Sequence, residues 1–421
     1  MMNSTARQSF LSASIGTMVE YYDYALFTLF LPILAPLFFP ADTIYDSLVK
    51  GYLILFVAMI ARPLGGLFFG YLGDAVGRRK ALLTSMYGIA LGTLALGITP
   101  VYASIGIWSV VMVTVAKTIQ VFCFGGEFNG AGIYVVEHAQ NRNEGFASCL
   151  LLATTLFGSL LSCLLGIVLT MKFMPDWSWR IAFLVGGLIG LIGIRYRKQL
   201  IESPHFKPAK EDALPLGKML KKFPKEFVAT IFLGGFASIS FTTTLTFITP
   251  VLMSEGLINM HQLMLLETFL TLLAVVTLIP TGIMADKKSP QKVMVFSCWA
   301  LIILSYFLLY LIEQRNVIAV LVGMSVLIII NEMQLGPMHA FLKNLFPMEY
   351  RYRGSSLGFC IGISVLGGLT PLVESYLYSY THHFTAISLW LVFIGAGTLI
   401  TMNLATNKKT EEVYDDNLRR I

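Results

Sequence analysis

Gly70-Tyr-Leu-Gly-Asp74-Ala-Val-Gly77-Arg78-Arg79-Lys80 is the stretch on which the fold turns. It closes a long apolar run with one acid and three consecutive cations. A shorter copy, Gly282-Ile-Met-Ala-Asp286-Lys287-Lys288, closes another apolar run with its aspartate 212 positions later. A second pair of landmarks repeats at nearly the same interval: Arg142 then Gly145, and Arg351 and Arg353 then Gly354, the glycines 209 positions apart. Two independent landmarks recurring at half the chain length indicate an internal duplication.

The runs between these landmarks set the environment. Of 421 residues 56% are hydrophobic and 13% charged, about half the charge of soluble domains, and mean hydropathy is +0.73. An ordinary soluble enzyme is excluded. Apolar runs long enough to cross ~30 Å of hydrocarbon recur throughout. Twelve spans are predicted at about 12–38, 48–73, 80–99, 104–136, 145–172, 179–196, 226–252, 262–285, 293–312, 316–342, 354–379 and 384–405. Arg7 stands before a first span too long for a cleavable signal, with no small-residue cleavage site. The five cysteines (Cys123, Cys149, Cys163, Cys298, Cys360) lie inside apolar runs without CxxC spacing, so neither a disulfide framework nor a metal site is expected.

Charge orients the chain. With the N-terminus inside, 24 of the 30 lysines and arginines fall in inner segments, and four outside (Lys50, Lys172, Arg180, Arg315). Arg62 and Lys117 lie within spans. Both termini are therefore expected in the cytoplasm, and the net charge of +6 reflects membrane topology with no nucleic-acid partner. The longest polar connection gives an N-terminal six-helix bundle over 1–196, a linker loop over 197–225 and a C-terminal bundle with a short tail over 226–421.

An ionisable group at the bilayer centre costs roughly 2.5–3.5 kcal/mol or more, so each one demands a reason. At 1.5 Å per residue, Asp23 lies ~16 Å into span one, Arg62 ~18 Å from the same face in span two, and Glu127 ~15 Å deep in span four. Glu20 and Asp23, at i and i+3, are expected on one face. A carboxylate that meets and leaves a guanidinium suits a proton site, so Glu20, Asp23, Arg62 and Glu127 are the proton-coupling candidates. The same four can instead be a neutral structural cluster. Tyr24, Arg62, Lys117, Gln120, Asn331 and Glu332 are the substrate-binding candidates. Lys117 is equally read as a snorkelling lysine, and the threonines of span seven (Thr242, Thr243, Thr244, Thr246, Thr249) as back-bonding to helix carbonyls. His339 is read as structural. Glu267 and Glu374 are placed near the outer ends, in reach of water, with no special role. Asp74, Arg78, Glu137, Arg142, Asp286 and Arg353 are candidates for an inner latch between the halves.

The loop from Gly70 to Lys80 and its copy at Gly282–Asp286 resemble the signature of the major facilitator superfamily. Further stretches resemble its metabolite:proton symporter branch: Gly16-Thr-Met-Val-Glu20-Tyr-Tyr-Asp23, Arg62-Pro63-Leu-Gly-Gly66, Gly125-Gly126-Glu127, Trp177-Ser-Trp179-Arg180, Glu202-Ser-Pro204-His-Phe206 and Leu345-Phe346-Pro347. Bacterial intraphagosomal amino-acid transporters are a neighbouring group. The resemblance covers almost the whole chain. It implies an all-α integral membrane fold of twelve helices in two pseudo-symmetric six-helix bundles. It also implies uptake of amino acids, betaines or organic acids, without cofactor, by a monomer in the cell inner membrane. Ala75 replaces a basic residue, Lys117 stands where many relatives have arginine, Val121 where glycine is common, and the long C-terminal coiled coil of some osmolyte transporters is absent. No glycine-proline antiporter run occurs near Thr155, which favours symport. The expected function is proton-coupled import of a small carboxylate-bearing metabolite by alternating access, with a uniporter, an exporter or a transporter-like sensor as alternatives. No HExxH or GxSxG stretch points to an enzyme.

Overall fold

A computed structural model describes residues 4–75, 78–125, 128–139, 143–197, 216–346 and 351–418. Over these residues the chain is almost wholly helical. Nine helical stretches are long and apolar enough to cross a bilayer, and Gly16–Leu29 with Leu31–Phe38 makes a tenth, bent by 59°. Arg78–Ile98 and Trp179–Arg197 complete twelve spans in two lobes of six. Where the sequence predicts continuous rods, several spans are broken. Span one bends ahead of Pro32, which presets its own φ but restricts the residue before it. Span ten breaks between Val317–Leu335 and Met338–Leu345, at Gly336-Pro337.

The duplication is visible in backbone contacts. A Cβ on Gly158 of span five would lie 1.9 Å from the Met18 carbonyl of span one, and a Cβ on Gly362 of span eleven would lie 2.0 Å from the Ile231 carbonyl of span seven. These two crossings hold equivalent places in the two lobes, and only glycine leaves room for them; the first lobe has a further one, where a Cβ on Gly65 of span two would lie 1.7 Å from the Phe122 carbonyl of span four. Between the lobes, spans five (Glu144–Leu169) and eight (Met260–Lys288) pack along their length, Gly145 against Ala285 at one end and Gly166 against Met264 at the other.

Helix ends are satisfied locally. Asn259 and Gln262 form a reciprocal capping box before span eight. Spans eight and nine (Pro290–Glu313) are separated by Ser289 alone. Its φ of 132° is a strained conformation, and its side chain caps the Lys292 N–H. Arg180 gives Nη1 to the carbonyls of Gly97 and Thr99, both 2.8 Å, a cation placed at a helix C-terminus.

Spans seven and eleven each contain a π-helical segment, Thr242–Ile248 and Gly362–Gly367, a feature frequent at functional sites. In span seven Pro250, which has no N–H, closely follows the Thr246 carbonyl of the π-helical segment. Tyr52 Oη of span two donates to that carbonyl at 2.8 Å.

Candidate functional site: a charged cavity between the lobes

A cavity of about 120 Å³ lies between the lobes. Glu20, Tyr24 and Arg62 line it from the first lobe, and Phe241, Thr242, Thr246 and Glu267 from the second. A side recess of about 30 Å³, sharing Tyr24, Thr28, Thr242 and Thr246, reaches Lys117. Arg62 is 4% exposed; its Cζ stands 5.9 Å from the Tyr24 ring centroid, and Glu20, Tyr21 and Tyr24 are its electrostatic neighbours. A guanidinium held over an aromatic face keeps its charge and its planar fork of donors for a carboxylate.

Asp23 does not join that group. The structure turns it toward span six, where a Cβ on Gly186 would lie 2.6 Å from Oδ1, and it is fully buried off the cavity lining. The reason is angular: a three-residue step leaves about 60° between side chains, so Glu20 and Tyr24 face the cavity while Asp23 faces inward. Lys117 and Thr93 are its polar neighbours. Lys117, 1% exposed, does not snorkel. Its Nζ donates to Gln120 Oε1 at 2.7 Å and stands 5.0 Å from the Phe27 ring centroid. Gln120 Nε2 donates onward to Thr93 Oγ1 at 2.7 Å. Gln120 is therefore a buried brace of Lys117, off the cavity wall.

Three further expectations change. Asn331 and Glu332 are buried against each other, Nδ2 to Oε1 at 3.2 Å, and Leu335 lines the cavity in their place. Glu374 is buried and accepts from Thr243 Oγ1 at 2.5 Å. Glu267 is only 3% exposed and lines the cavity. Position along a helix placed these last two near water; inter-lobe contacts bury them, and no single-helix signal carries that. Thr242, Thr244 and Thr249 bond back to helix carbonyls, with Thr242 and Thr246 also on the cavity wall.

Cross-lobe contacts lie on both sides of the cavity. On the basic face, Asp286 of span eight accepts from the backbone N–H of Gly145 (2.7 Å) and Phe146 (3.1 Å) in span five. The carboxylate thus meets orphan donors at a helix N-terminus of the other lobe. Lys343 pairs with Glu144 at 2.8 Å, and Ser148 Oγ donates to the Gly336 carbonyl at 2.5 Å. Phe128 stacks on Phe359 and meets the His339 ring edge-on. On the opposite face Tyr52 reaches Thr246, and Tyr45 Oη donates to the Ser375 carbonyl at 3.0 Å. Glu127 and Arg142 lie outside the described residues, as do the side chains of Asp74, Arg78, Glu137 and Arg353. Among the described residues no cluster of potential metal ligands forms.

Two glycine-crossed six-span lobes around a cavity with charged side chains on its wall define a membrane transporter with the major facilitator fold. Residues 10–225 match the model of the family described as sugar (and other) transporter, and the chain belongs to that family of the major facilitator superfamily. It is 27% identical over 415 residues to the proline/betaine transporter of Escherichia coli K12, covering 94% of this chain and 82% of the relative. Its fold is similar to the proton:xylose symporter XylE (TM-score 0.74, 16% identity, 96% and 95% of the two chains), a transporter from E. coli. It is also similar to the human organic anion transporter MFSD10 (TM-score 0.68, 14% identity, 96% and 100%). The protein is a multi-pass membrane transporter of small molecules, not an enzyme.

Proposed function

We propose that the protein is a proton-coupled symporter that imports a small carboxylate-bearing metabolite by alternating access. The carrying observation is a buried guanidinium, Arg62, on the wall of a cavity between two lobes. Bidentate hydrogen bonding makes arginine suited to a solute carboxylate. Behind that wall, fully buried Asp23 shares a polar cluster with Lys117. An unpaired carboxylate in such surroundings is costly when charged, so a change in its distance from the lysine favours taking up or releasing a proton. Glu20, on the cavity wall beside Arg62, is a second carboxylate within reach of the solute; Glu127 keeps its place in the proton-coupling set on sequence grounds alone. The E. coli relative named for proline and betaine supports an amino acid or betaine as solute.

In this reading the basic face is cytoplasmic, both termini with it, as the lysine and arginine distribution requires, and the protein works as a monomer in the cell inner membrane. Residues 1–196 and 226–421 move as lobes joined by the connection 197–225, which the sequence reads as a loop but which includes the helix Leu216–Lys222 and the start of span seven at Pro224, and Asp286 belongs to the inner latch. The loop residues Asp74, Arg78, Glu137, Arg142 and Arg353 serve the same latch. The test is uptake of L-proline into proteoliposomes under an imposed inside-alkaline gradient. Accumulation above equilibrium in the wild type, lost in Asp23→Asn, is the expected result. Accumulation independent of the gradient would mean uniport.

A further inference from the structure

The acidic groups of the second lobe mostly have partners. Asp286 takes two backbone N–H groups, Glu255 pairs with Arg315, Glu374 takes the Thr243 hydroxyl and Glu313 meets His383. Glu267 differs. It lies seven residues into span eight, ~10 Å along the helix, nearly buried and on the cavity wall. Among the described residues it forms no hydrogen bond and no ion pair. Its electrostatic neighbour is the Cys163 thiol of span five, whereas the neighbours of Arg62 are Glu20, Tyr21, Tyr24 and Cys360. The two opposite charges therefore share one cavity without compensating each other. Thr271, one turn further on the same helix face, adds a hydroxyl beside Glu267 on the lining.

We infer that Glu267 forms a cation subsite of this cavity, and that the solute lies with its carboxylate toward Arg62 and a positively charged nitrogen toward span eight. This rests on the proposed carriage of carboxylate-bearing solutes and narrows it to zwitterions. Leaving a buried charge uncompensated is costly. A zwitterion offers Glu267 the cation it lacks and sets its carboxylate against Arg62. A monocarboxylate leaves Glu267 unmatched, and a dicarboxylate sets like charge against it.

Calorimetric binding to the purified full-length protein in nanodiscs tests this, with L-proline, glycine betaine, succinate and sodium chloride as probes. The wild type is expected to bind at least one zwitterion more tightly than succinate. Glu267→Gln should weaken that zwitterion at least tenfold without weakening succinate. Glu267→Asp, which keeps the charge but withdraws it by one methylene, should give a smaller loss and serves if the glutamine variant does not fold. Unchanged zwitterion affinity in the variants overturns the inference. So does a Glu267-dependent response to sodium alone, which would make the subsite one for a co-ion. Retained binding in Glu267→Gln with lost proton-driven accumulation overturns it in favour of a proton site. Binding of succinate in preference to both zwitterions overturns it and leaves the carboxylate reading standing, whereas failure of every carboxylate-bearing probe removes both.

Discussion

Spans one and seven hold equivalent places in the two lobes, yet one offers the cavity Glu20 and Tyr24 and the other Thr242 and Thr246. The same contrast extends behind the wall. The first lobe buries Asp23, Lys117 and Gln120 in a connected polar cluster, while the second keeps its buried acids in separate pairs, Glu332 with Asn331 and Glu374 with Thr243, beside two π-helical segments. Among the described residues only Glu267 brings a charge to the cavity from the second side. A fold that duplicates its backbone thus does not duplicate its chemistry. The Asp23–Lys117 cluster sits within a single lobe, whereas Glu374 of the second lobe is tied by Thr243 to the π-helical segment of span seven.

Breaking this asymmetry should be most costly on the charged side. Arg62→Ala is expected to reduce L-proline uptake at least a hundredfold and to lower thermal stability by leaving buried Glu20 without its cation, whereas Thr242→Ala should cost uptake a few-fold. Equal losses would erase the proposed division. Asp23→Asn should bring accumulation down to equilibration while L-proline exchange across the membrane persists, a split that counterflow assays read directly. The backbone crossings test the opposite point, that the lobes are alike in construction. Gly158→Ala and Gly362→Ala should destabilise by comparable amounts, about 1–3 kcal/mol or more each, in thermal unfolding. A loss confined to one would mean that the two crossings are not equivalent. Asp286→Asn should weaken the basic-face contact by about 1 kcal/mol, seen as faster alkylation of Cys149, which packs against Gly282 and Gly336 there. Tyr52→Phe on the opposite face should be the mildest, about 0.5–1.5 kcal/mol.

The architecture was legible because a bilayer leaves few choices: apolar length, basic loops and the Asp74/Asp286 repeat already implied twelve spans in two halves. The side chains of the cavity were legible only in part. Depth arithmetic put Arg62 and Asp23 at a common level, but not on a common face, since direction around a helix axis changes by 100° per residue while depth changes little. Asn331 and Glu332 looked like ligands because buried polar residues in a span usually face a path; here they bond to each other beside Leu335. Glu267 was passed over for the converse reason. Its distance from the helix end suggested water, and only spans of the other lobe, folded against it, withdraw it from solvent.

The tyrosine that joins spans two and seven has a further consequence. Parting Tyr52 from the Thr246 carbonyl leaves a nearly buried acceptor beside the cavity that Thr246 lines, and such an acceptor needs a new donor. A water molecule has to arrive as the tyrosine departs. On that side of the molecule, wetting the path and unlocking it are a single event, so the rate at which water enters sets a floor on how long each opening takes.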